Sequence, residues 1–145
     1  MVQELRPLHV LIVDDHTLMR KLVGKHLSDL GIEKLETATD GAETLATLEA
    51  AQEKGKPFDM VLLDWHMPNM SGLELLQHCR SRNCYDNTAI VMLTGECEPD
   101  KVILALQEGA TSYMMKPVSQ EMFVKKIREV AHWIEQRRGV KNAAV

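Results

Sequence analysis

Five polar residues follow four apolar segments of the sequence, at the points where those segments end. Asp14 and Asp15 follow the first segment, Asp64 follows the third, and Thr94 and Lys116 follow the fourth and fifth. A carboxylate at the end of a buried segment is costly unless a cation or hydrogen-bond donors meet it. If the segments are parallel strands, their carboxyl ends share one edge of a sheet, so we expect these side chains to converge there.

Three carboxylates, one hydroxyl and one lysine suit magnesium-assisted phosphoryl chemistry. Mg²⁺ takes oxygen ligands and commonly keeps one or two protein carboxylates together with waters and phosphate oxygens. A bound ion would offset the repulsion among the carboxylates, while Lys116 and the Thr94 hydroxyl hold oxygens of the phosphoryl group. Because an aspartate can itself be the nucleophile and form an aspartyl phosphate, Asp64 is the predicted acceptor.

Short apolar runs alternate five times with longer segments of helical periodicity, which predicts an α/β fold with a parallel sheet. Most of the runs are apolar throughout, as expected for strands that helices cover on both faces. Asp40 with Glu43, and Ser71 with Glu74, have the spacing of capping boxes that open helices. The predicted strands are 9–13, 35–39, 58–63, 89–93 and 111–115, and the last helix is predicted over 120–138.

Length and composition limit the classes of function. The 145 residues predict a single domain over 1–145, with a core at about 8–138 and a short tail at 139–145. A net charge of -4 gives no general attraction to nucleic acid, so no direct nucleic-acid partner is expected. The first apolar run is too short for a signal peptide or a membrane span, which predicts a cytoplasmic protein without a membrane partner. Three cysteines without a C-x-x-C spacing predict reduced thiols.

Four motifs occur in order at the ends of predicted strands: VLIVDDH, VLLDWHMPNMSGLEL, VMLTG and EGATSYMMKP. Each is weak alone, but the ordered set is specific. Over residues 8 to 138 the chain resembles the response regulator receiver domain, and in particular the single-domain chemotaxis regulators. The resemblance implies a flavodoxin-like (βα)5 three-layer sandwich whose five-stranded parallel sheet has the strand order 2-1-3-4-5.

The resemblance also implies a role for each acidic residue. Asp64 would accept a phosphoryl group from the phosphohistidine of a histidine kinase. Mg²⁺, or Mn²⁺ in its place, would be held by Asp15, Asp64 and the backbone carbonyl of His66, with Asp14 acting through water. The side chain of His66, two residues after the acceptor, would help to set the lifetime of the phosphorylated state.

Further implied roles belong to residues that follow the fourth and fifth strands. Thr94 and Lys116 would contact the phosphoryl oxygens, and Tyr113 would be the switch aromatic that turns inward when Thr94 moves. The Lys116-Pro117 bond is a candidate cis peptide, because cis before proline costs little. Glu96, two residues after the threonine, is the second position linked to phosphoryl lifetime.

The implied function is two-component signal transduction by a phosphoacceptor that is not a turnover enzyme. Self-phosphorylation from small phosphodonors and autodephosphorylation are expected. The implied partners are a sensor histidine kinase or phosphotransfer protein, and a downstream protein bound by the face of the fourth helix, fifth strand and fifth helix. Chemotaxis or motility control is the family-level expectation, in a monomer or a weak phosphorylation-dependent dimer.

Several alternatives stay open at the level of sequence. The chain could be an adaptor that signals without phosphorylation, a receiver fragment of a longer regulator with an output domain, or a phosphohydrolase that uses Asp64. Haloacid-dehalogenase-like phosphohydrolases usually place a second acid where this chain has His66. Asp15 could simply cap the first helix. His16 and His66 could also approach the acidic trio and form a transition-metal site, because imidazole suits such metals.

Overall fold

Strands and helices alternate along the chain. The computed structural model describes residues 8–95, 99–116 and 118–143, with side chains through residue 137. A short 3-10 turn at Asn83–Tyr85 precedes the fourth strand. In chain order the elements are β1 (His9–Val13), α1 (Thr17–Asp29), β2 (Lys34–Ala38), α2 (Gly41–Glu53), β3 (Met60–Asp64), α3 (Gly72–Arg80), β4 (Ala89–Thr94), α4 (Pro99–Gln107), β5 (Ser112–Met115) and α5 (Gln120–Ala143).

The five strands form one parallel sheet in the order β2-β1-β3-β4-β5, which confirms the predicted fold class and strand order. β1 and β3 are neighbours, and their register pairs Val13 with Leu63. The next residue along the chain is an aspartate in both cases, because Asp14 follows β1 and Asp64 ends β3. The register therefore brings these two carboxylates side by side at the carboxyl edge of the sheet.

Two apolar layers cover the sheet, one on each face. On one face α1 and α5 contribute Leu27 and Phe123, neither of which is exposed. On the other face α2, α3 and α4 contribute Leu48, Leu76 and Ala105. Burial of apolar area at roughly 25 cal/mol per Å² makes these layers the main source of stability. They hold the strand ends rigidly, which is what a site built from four strand ends requires.

β2 differs from the other strands because it forms an outer edge of the sheet. Among the described residues it pairs with β1 alone, and Lys34, Glu36 and Thr37 are exposed while Ala38 is buried. The Nε2 atom of His9 on β1 lies 2.6 Å from a Glu36 carboxylate oxygen. The polar composition of β2 thus follows from its exposure to water.

The predicted helix starts are confirmed, and one helix end differs. Asp40 Oδ1 accepts a 2.8 Å hydrogen bond from the Glu43 backbone N–H, and the reciprocal capping box of Ser71 is formed. α5 continues to Ala143, so part of the tail predicted over 139–145 is helical. A glycine within a helix costs only about 1 kcal/mol, so Gly139 does not end it. Among the described residues, no helix combines the length and apolar character needed to cross a bilayer.

Candidate functional site

The ends of β1 and β3 place two aspartates in the interior. Asp14 is 0% exposed and Asp64 is 3% exposed. Asp64 is the last residue of β3 rather than the first residue after it, since its Cα pairs with Leu93 of β4. Buried carboxylates repel each other and lose hydration, so they need compensating positive charge.

Lys116 supplies one such charge from the end of β5. Its Nζ atom donates to Asp14 Oδ2 at 2.9 Å and lies 3.2 Å from Asp64 Oδ1. The Lys116 backbone N–H donates to the Thr94 carbonyl at 2.7 Å, which holds the end of β5 against β4. Three residues that are far apart in sequence therefore form one bridged group, as the sequence predicted.

Burial and neighbouring charges shift the pKa values of two members of this group, Asp64 and Lys116. Burial raises the pKa of the Asp64 carboxyl, and Lys116 opposes that rise. The backbone N–H of His66 also donates to this carboxylate and opposes the rise. Burial by itself lowers the pKa of the Lys116 ammonium, but the hydrogen bond to Asp14 and the charge of Asp64 outweigh it, so that pKa is raised. Two buried carboxylates share one ammonium, and the site therefore still favours a cation.

Asp15 and His16 complete an acidic cluster beside this group. Asp15 is exposed, and its Oδ1 lies 3.0 Å from His16 Nδ1. The same Nδ1 lies 3.1 Å from Asp14 Oδ1, which also accepts a 2.8 Å hydrogen bond from the His16 backbone N–H. One ligand atom from each of Asp14, Asp15, His16 and Asp64 lies within 4.8 Å of the others.

The donor set of this cluster fits a divalent cation. Carboxylate oxygens are the ligands that Mg²⁺ and Mn²⁺ prefer, and three of the four donors are carboxylates. Asp15, Asp64 and Asp14 are the side chains predicted to surround the metal. His66 was predicted to contribute its backbone carbonyl, and its exposed side chain lies outside the cluster of potential side-chain ligands among the described residues.

The loop after β3 is tied closely to the backbone of Asp64. The Gly72 N–H donates to the Trp65 carbonyl at 2.8 Å, and a Cβ atom at Gly72 would lie 2.3 Å from the Asp64 carbonyl oxygen. Asn69 takes a positive φ of 72°, which asparagine tolerates better than most residues. Sequence reasoning identified Ser71 as the start of α3 but missed the need for glycine at 72, which the tight turn NMSG could have suggested.

The remaining predicted residues occupy β4 and β5. Thr94 is 2% exposed at the end of β4, and its Cα pairs with that of Met115. Tyr113 on β5 is half-buried, with Lys126 Nζ 5.4 Å from the centre of its ring. Glu96 and Pro117 lie outside the described residues, so the second lifetime position and the cis peptide stay predictions.

Sequence comparison now decides the family. A family model for the response regulator receiver domain matches residues 10–128. The chain belongs to this family. Receiver domains act in two-component signalling rather than as turnover enzymes.

Chemotaxis proteins are among the relatives of this receiver domain. CheY of Pseudomonas aeruginosa is 33% identical over 121 residues, which cover 83% of this chain and 94% of that protein. The structure of the chemotaxis response regulator CheY4 of Vibrio cholerae is 37% identical, with a TM-score of 0.75 over 85% of this chain and 98% of that one. CheY in the CheX-CheY-BeF3-Mg²⁺ complex from Borrelia burgdorferi matches at 26% identity and a TM-score of 0.78, over 86% of this chain and 90% of that one.

Two arginines of this receiver domain were missed by sequence reasoning. Arg20 Nη1 donates to the Asp14 carbonyl at 2.6 Å and fixes the turn between β1 and α1. Arg80, at the end of α3, donates to the carbonyls of Tyr85, Thr88 and Gly109 at 2.7, 2.9 and 2.8 Å. Its only signal in the sequence is an arginine in the last turn of a helix, which also suits an exposed residue.

Proposed function

We propose that this receiver domain is a phosphorylation-controlled signalling module whose acceptor is Asp64. The observation that carries the proposal is the bridge from Lys116 Nζ to Asp14 and Asp64, at 2.9 and 3.2 Å. It gives a buried carboxylate a neighbouring ammonium that can also meet the oxygens of an incoming phosphoryl group. The donor is a phosphohistidine on a sensor histidine kinase or a phosphotransfer protein.

The chemical step is transfer of the phosphoryl group from nitrogen to oxygen. A carboxylate oxygen of Asp64 forms a bond to phosphorus as the bond to the donor imidazole breaks, and the imidazole keeps the electron pair and takes a proton. Lys116 and the hydroxyl of Thr94 hold the phosphoryl oxygens. Asp15, Asp64 and the His66 carbonyl would hold Mg²⁺ or Mn²⁺, with Asp14 nearby, and the ion would neutralise charge on the phosphoryl group. Water later attacks phosphorus as the bond from phosphorus to the Asp64 oxygen breaks, which releases inorganic phosphate and regenerates the Asp64 carboxylate.

The proposed output surface is the face of α4, β5 and α5. Thr94 and Tyr113 lie on the adjacent strands β4 and β5, which supports a relay from the acceptor to this face. Ile103 and Leu106 of α4 and Met122 of α5 are 53%, 45% and 58% exposed, so the face offers apolar area to a downstream protein. The phosphoryl group would bias a two-state equilibrium through contacts made in one state only.

The pathway belongs to the proposal as well. The relatives described above are chemotaxis proteins, which favours control of motility. In the Borrelia burgdorferi complex a CheY is assembled with CheX in the presence of BeF3 and Mg²⁺. By analogy, we expect the downstream partner of this chain to distinguish the BeF3-bound protein from the free protein.

The decisive experiment is intact-mass measurement after incubation with acetyl phosphate. The natural chain should gain one phosphoryl group when Mg²⁺ is present and none when the metal is chelated. Asp64→Asn should gain none, and Asp29→Asn is the matched control because Asp29 is exposed and, among the residues that the structure describes, pairs only with Lys25. An adduct that persists in Asp64→Asn would refute the assignment of the acceptor.

Absence of an adduct needs a second measurement, because a short-lived acyl phosphate can escape detection. Beryllofluoride, a stable mimic of the phosphoryl group, should perturb the Trp65 fluorescence of the natural chain, since Trp65 adjoins Asp64. Silence with both reagents would favour the adaptor that signals without phosphorylation. Sustained turnover of a phosphate ester would favour the phosphohydrolase.

Coupling to the partner surface is tested through Lys116→Ala. This variant should still accept a phosphoryl group on Asp64, but it should lose the increase in partner affinity that phosphorylation produces, because the ammonium no longer links the phosphoryl oxygens to β5. Lys25→Ala, on the exposed surface of α1, is the control. A partner that binds the natural chain and Lys116→Ala equally after phosphorylation would contradict the relay.

A further inference from the structure

The acidic cluster contains one donor that an all-oxygen magnesium site does not need. Among the four clustered ligand atoms, three belong to carboxylates and the fourth is a ring nitrogen of His16, whose Nδ1 lies 3.0 Å from Asp15 Oδ1. We infer that His16 is itself a metal ligand, and that the site binds divalent ions that accept imidazole nitrogen, from Co²⁺ to Zn²⁺, more tightly than Mg²⁺. The inference rests on the proposed function only in placing a metal at this cluster.

The local backbone aims His16 at the cluster. His16 is the residue immediately before α1, in an extended conformation with φ -96° and ψ 116°. Its backbone N–H donates to Asp14 Oδ1 at 2.8 Å, which anchors the backbone of His16 beside the cluster. The same turn therefore places the two aspartates and the Cα of His16 close together, and the Nδ1 atom of the imidazole lies within reach of both carboxylates.

The distances suit coordination of a shared ion. His16 Nδ1 lies 3.0 Å from Asp15 Oδ1 and 3.1 Å from Asp14 Oδ1, and Asp15 is a predicted metal ligand. Two ligands on opposite sides of an octahedral ion at about 2.1 Å are separated by ~4.2 Å. The 4.8 Å span of the four ligand atoms exceeds this only slightly. The His16 side chain is 70% exposed, so its ring can rotate to close the difference.

Ligand chemistry then sets the preference among metals. Mg²⁺ gains little from imidazole, whereas Co²⁺, Ni²⁺, Cu²⁺ and Zn²⁺ bind it well. Coordination through Nδ1 requires the neutral tautomer with its proton on Nε2. The imidazole contributes no charge, so it adds affinity for these ions without adding repulsion to the three carboxylates.

The test compares binding of Co²⁺ and Mg²⁺ by calorimetry, with the intact chain and each metal salt alone. His16→Phe keeps a ring of similar size that cannot coordinate, and His132→Phe, on the exposed surface of α5, is the matched control. We expect His16→Phe to weaken Co²⁺ binding at least about tenfold, since even outer-shell partners of a metal contribute about tenfold. Mg²⁺ affinity should stay within about twofold, and His132→Phe should change neither affinity.

A spectroscopic readout separates a ligand from a residue that only shapes the loop. In the Co²⁺ form of the natural chain, proton NMR should show a strongly shifted imidazole N–H signal that disappears in His16→Phe and stays in His132→Phe. Equal loss of Co²⁺ and Mg²⁺ binding in His16→Phe, or unchanged Co²⁺ binding without the shifted signal, would overturn the inference. The Mg²⁺-dependent phosphoryl adduct, measured on the same preparation, tests the proposed function independently of either result.

Discussion

Lys116 and Arg80 are cations at opposite edges of the same sheet, and their partners differ in charge. At the carboxyl edge, Lys116 bridges the ionised side chains of Asp14 and Asp64. At the amino edge, Arg80 donates to three backbone carbonyls and lies 3.3 Å from the Thr111 hydroxyl, all of which are neutral acceptors. Both cations join segments that are distant in sequence, but only Lys116 does so through other charges.

The pKa shifts of the two cations follow from this difference. Burial lowers the pKa of the Arg80 guanidinium, because neutral carbonyls do not replace the full hydration of the charge. Burial also acts on Lys116, but its carboxylate partners outweigh it and the pKa is raised. Another cation can replace Lys116 beside its carboxylate partners. The backbone carbonyls that accept hydrogen bonds from Arg80 are neutral, so they do not exchange one cation for another in this way. The amino ends of the strands (the amino edge) are therefore a structural support, and the carboxyl ends (the carboxyl edge) are where charged groups can be rearranged.

The largest effect should come from removal of the amino-edge clamp. Arg80→Ala leaves three carbonyls without their donor and should lower the free energy of unfolding by about 3 kcal/mol, since hydrogen bonds to charged groups contribute roughly 1.5–3 kcal/mol each and do not add fully. Urea denaturation checks this. Arg80→Lys should recover less than half of the loss, because one ammonium cannot match a planar fork of donors.

The same variant separates stability from function. Folded Arg80→Ala should still take up one phosphoryl group on Asp64 in the presence of Mg²⁺, measured by intact mass. If Arg80→Ala kept its stability but lost the phosphoryl adduct, the assignment of a structural role to the amino edge and a chemical role to the carboxyl edge would be wrong.

The second effect concerns competition between Lys116 and metal. Its ammonium contacts the carboxylates that surround the proposed ion, so Lys116→Ala should tighten Mg²⁺ binding by about tenfold, equivalent to roughly 1.4 kcal/mol. Calorimetry at low ionic strength measures the change, and Lys25→Ala should show none. Weaker Mg²⁺ binding in Lys116→Ala would mean that the lysine positions the carboxylates rather than competing for them.

A smaller effect is expected from neutralising the acceptor in the absence of metal. Because the pKa of Asp64 is raised in the folded state, folding favours its protonated form. Its ionisation therefore removes stability as pH rises through the folded pKa, and Asp64→Asn does not suffer that loss. Asp64→Asn should be more stable than the natural chain at pH 7 and equally stable in acid below the ordinary aspartate pKa.

Thermal unfolding across about pH 3 to 7, in a chelating buffer whose ionic strength is kept constant, tests whether the stability difference between Asp64→Asn and the natural chain increases with pH. Asp29→Asn is again the matched control and should show no gain at neutral pH. A gain in Asp64→Asn that is largest in acid would contradict the raised pKa.

The smallest effect is on thiol reactivity beside the clamp. Burial raises the pKa of Cys79 to about 11, so its thiol stays protonated at pH 8, whereas Cys84 is exposed. Iodoacetamide should label Cys84 in the folded chain and leave Cys79 unlabelled, as peptide mapping would reveal. In Arg80→Ala the labelling of Cys79 should accelerate, because the amino edge opens more often. Equal labelling of both cysteines in the natural chain would show that this edge is not fixed.

The sequence predicted the features that depend on order along the chain. The alternating runs predicted a parallel sheet, and strand ends in such a sheet meet at one edge, so Asp64, Asp14 and Lys116 were correctly expected to converge. Arg80 could not be predicted, because its acceptors are backbone carbonyls and carry no side-chain signature. Gly72 was missed for a related reason, because the turn NMSG indicates a tight turn but not the approach of the Gly72 backbone to the Asp64 carbonyl.

The role of His16 was only partly predictable from the sequence. Its position next to the aspartate pair raised the question of a metal-binding nitrogen, but His66 raised the same question, and spacing alone could not separate them. Only the turn before α1, fixed by the hydrogen bond from His16 to Asp14, places one of these two side chains in the cluster. Such a choice depends on three-dimensional direction, which periodicity does not encode.

The outer strand β2 affects how strongly copies of the chain associate with one another at high concentration. The side of β2 that faces away from β1 pairs with no other described strand, and its backbone donors and acceptors could extend the sheet into a neighbouring molecule, the first step of aggregation. The exposed side chains of Lys34 and Glu36 carry hydrated charges that such pairing would have to bury. Resistance to edge-to-edge association at high concentration thus depends on two ordinary surface residues that lie far from the chemistry.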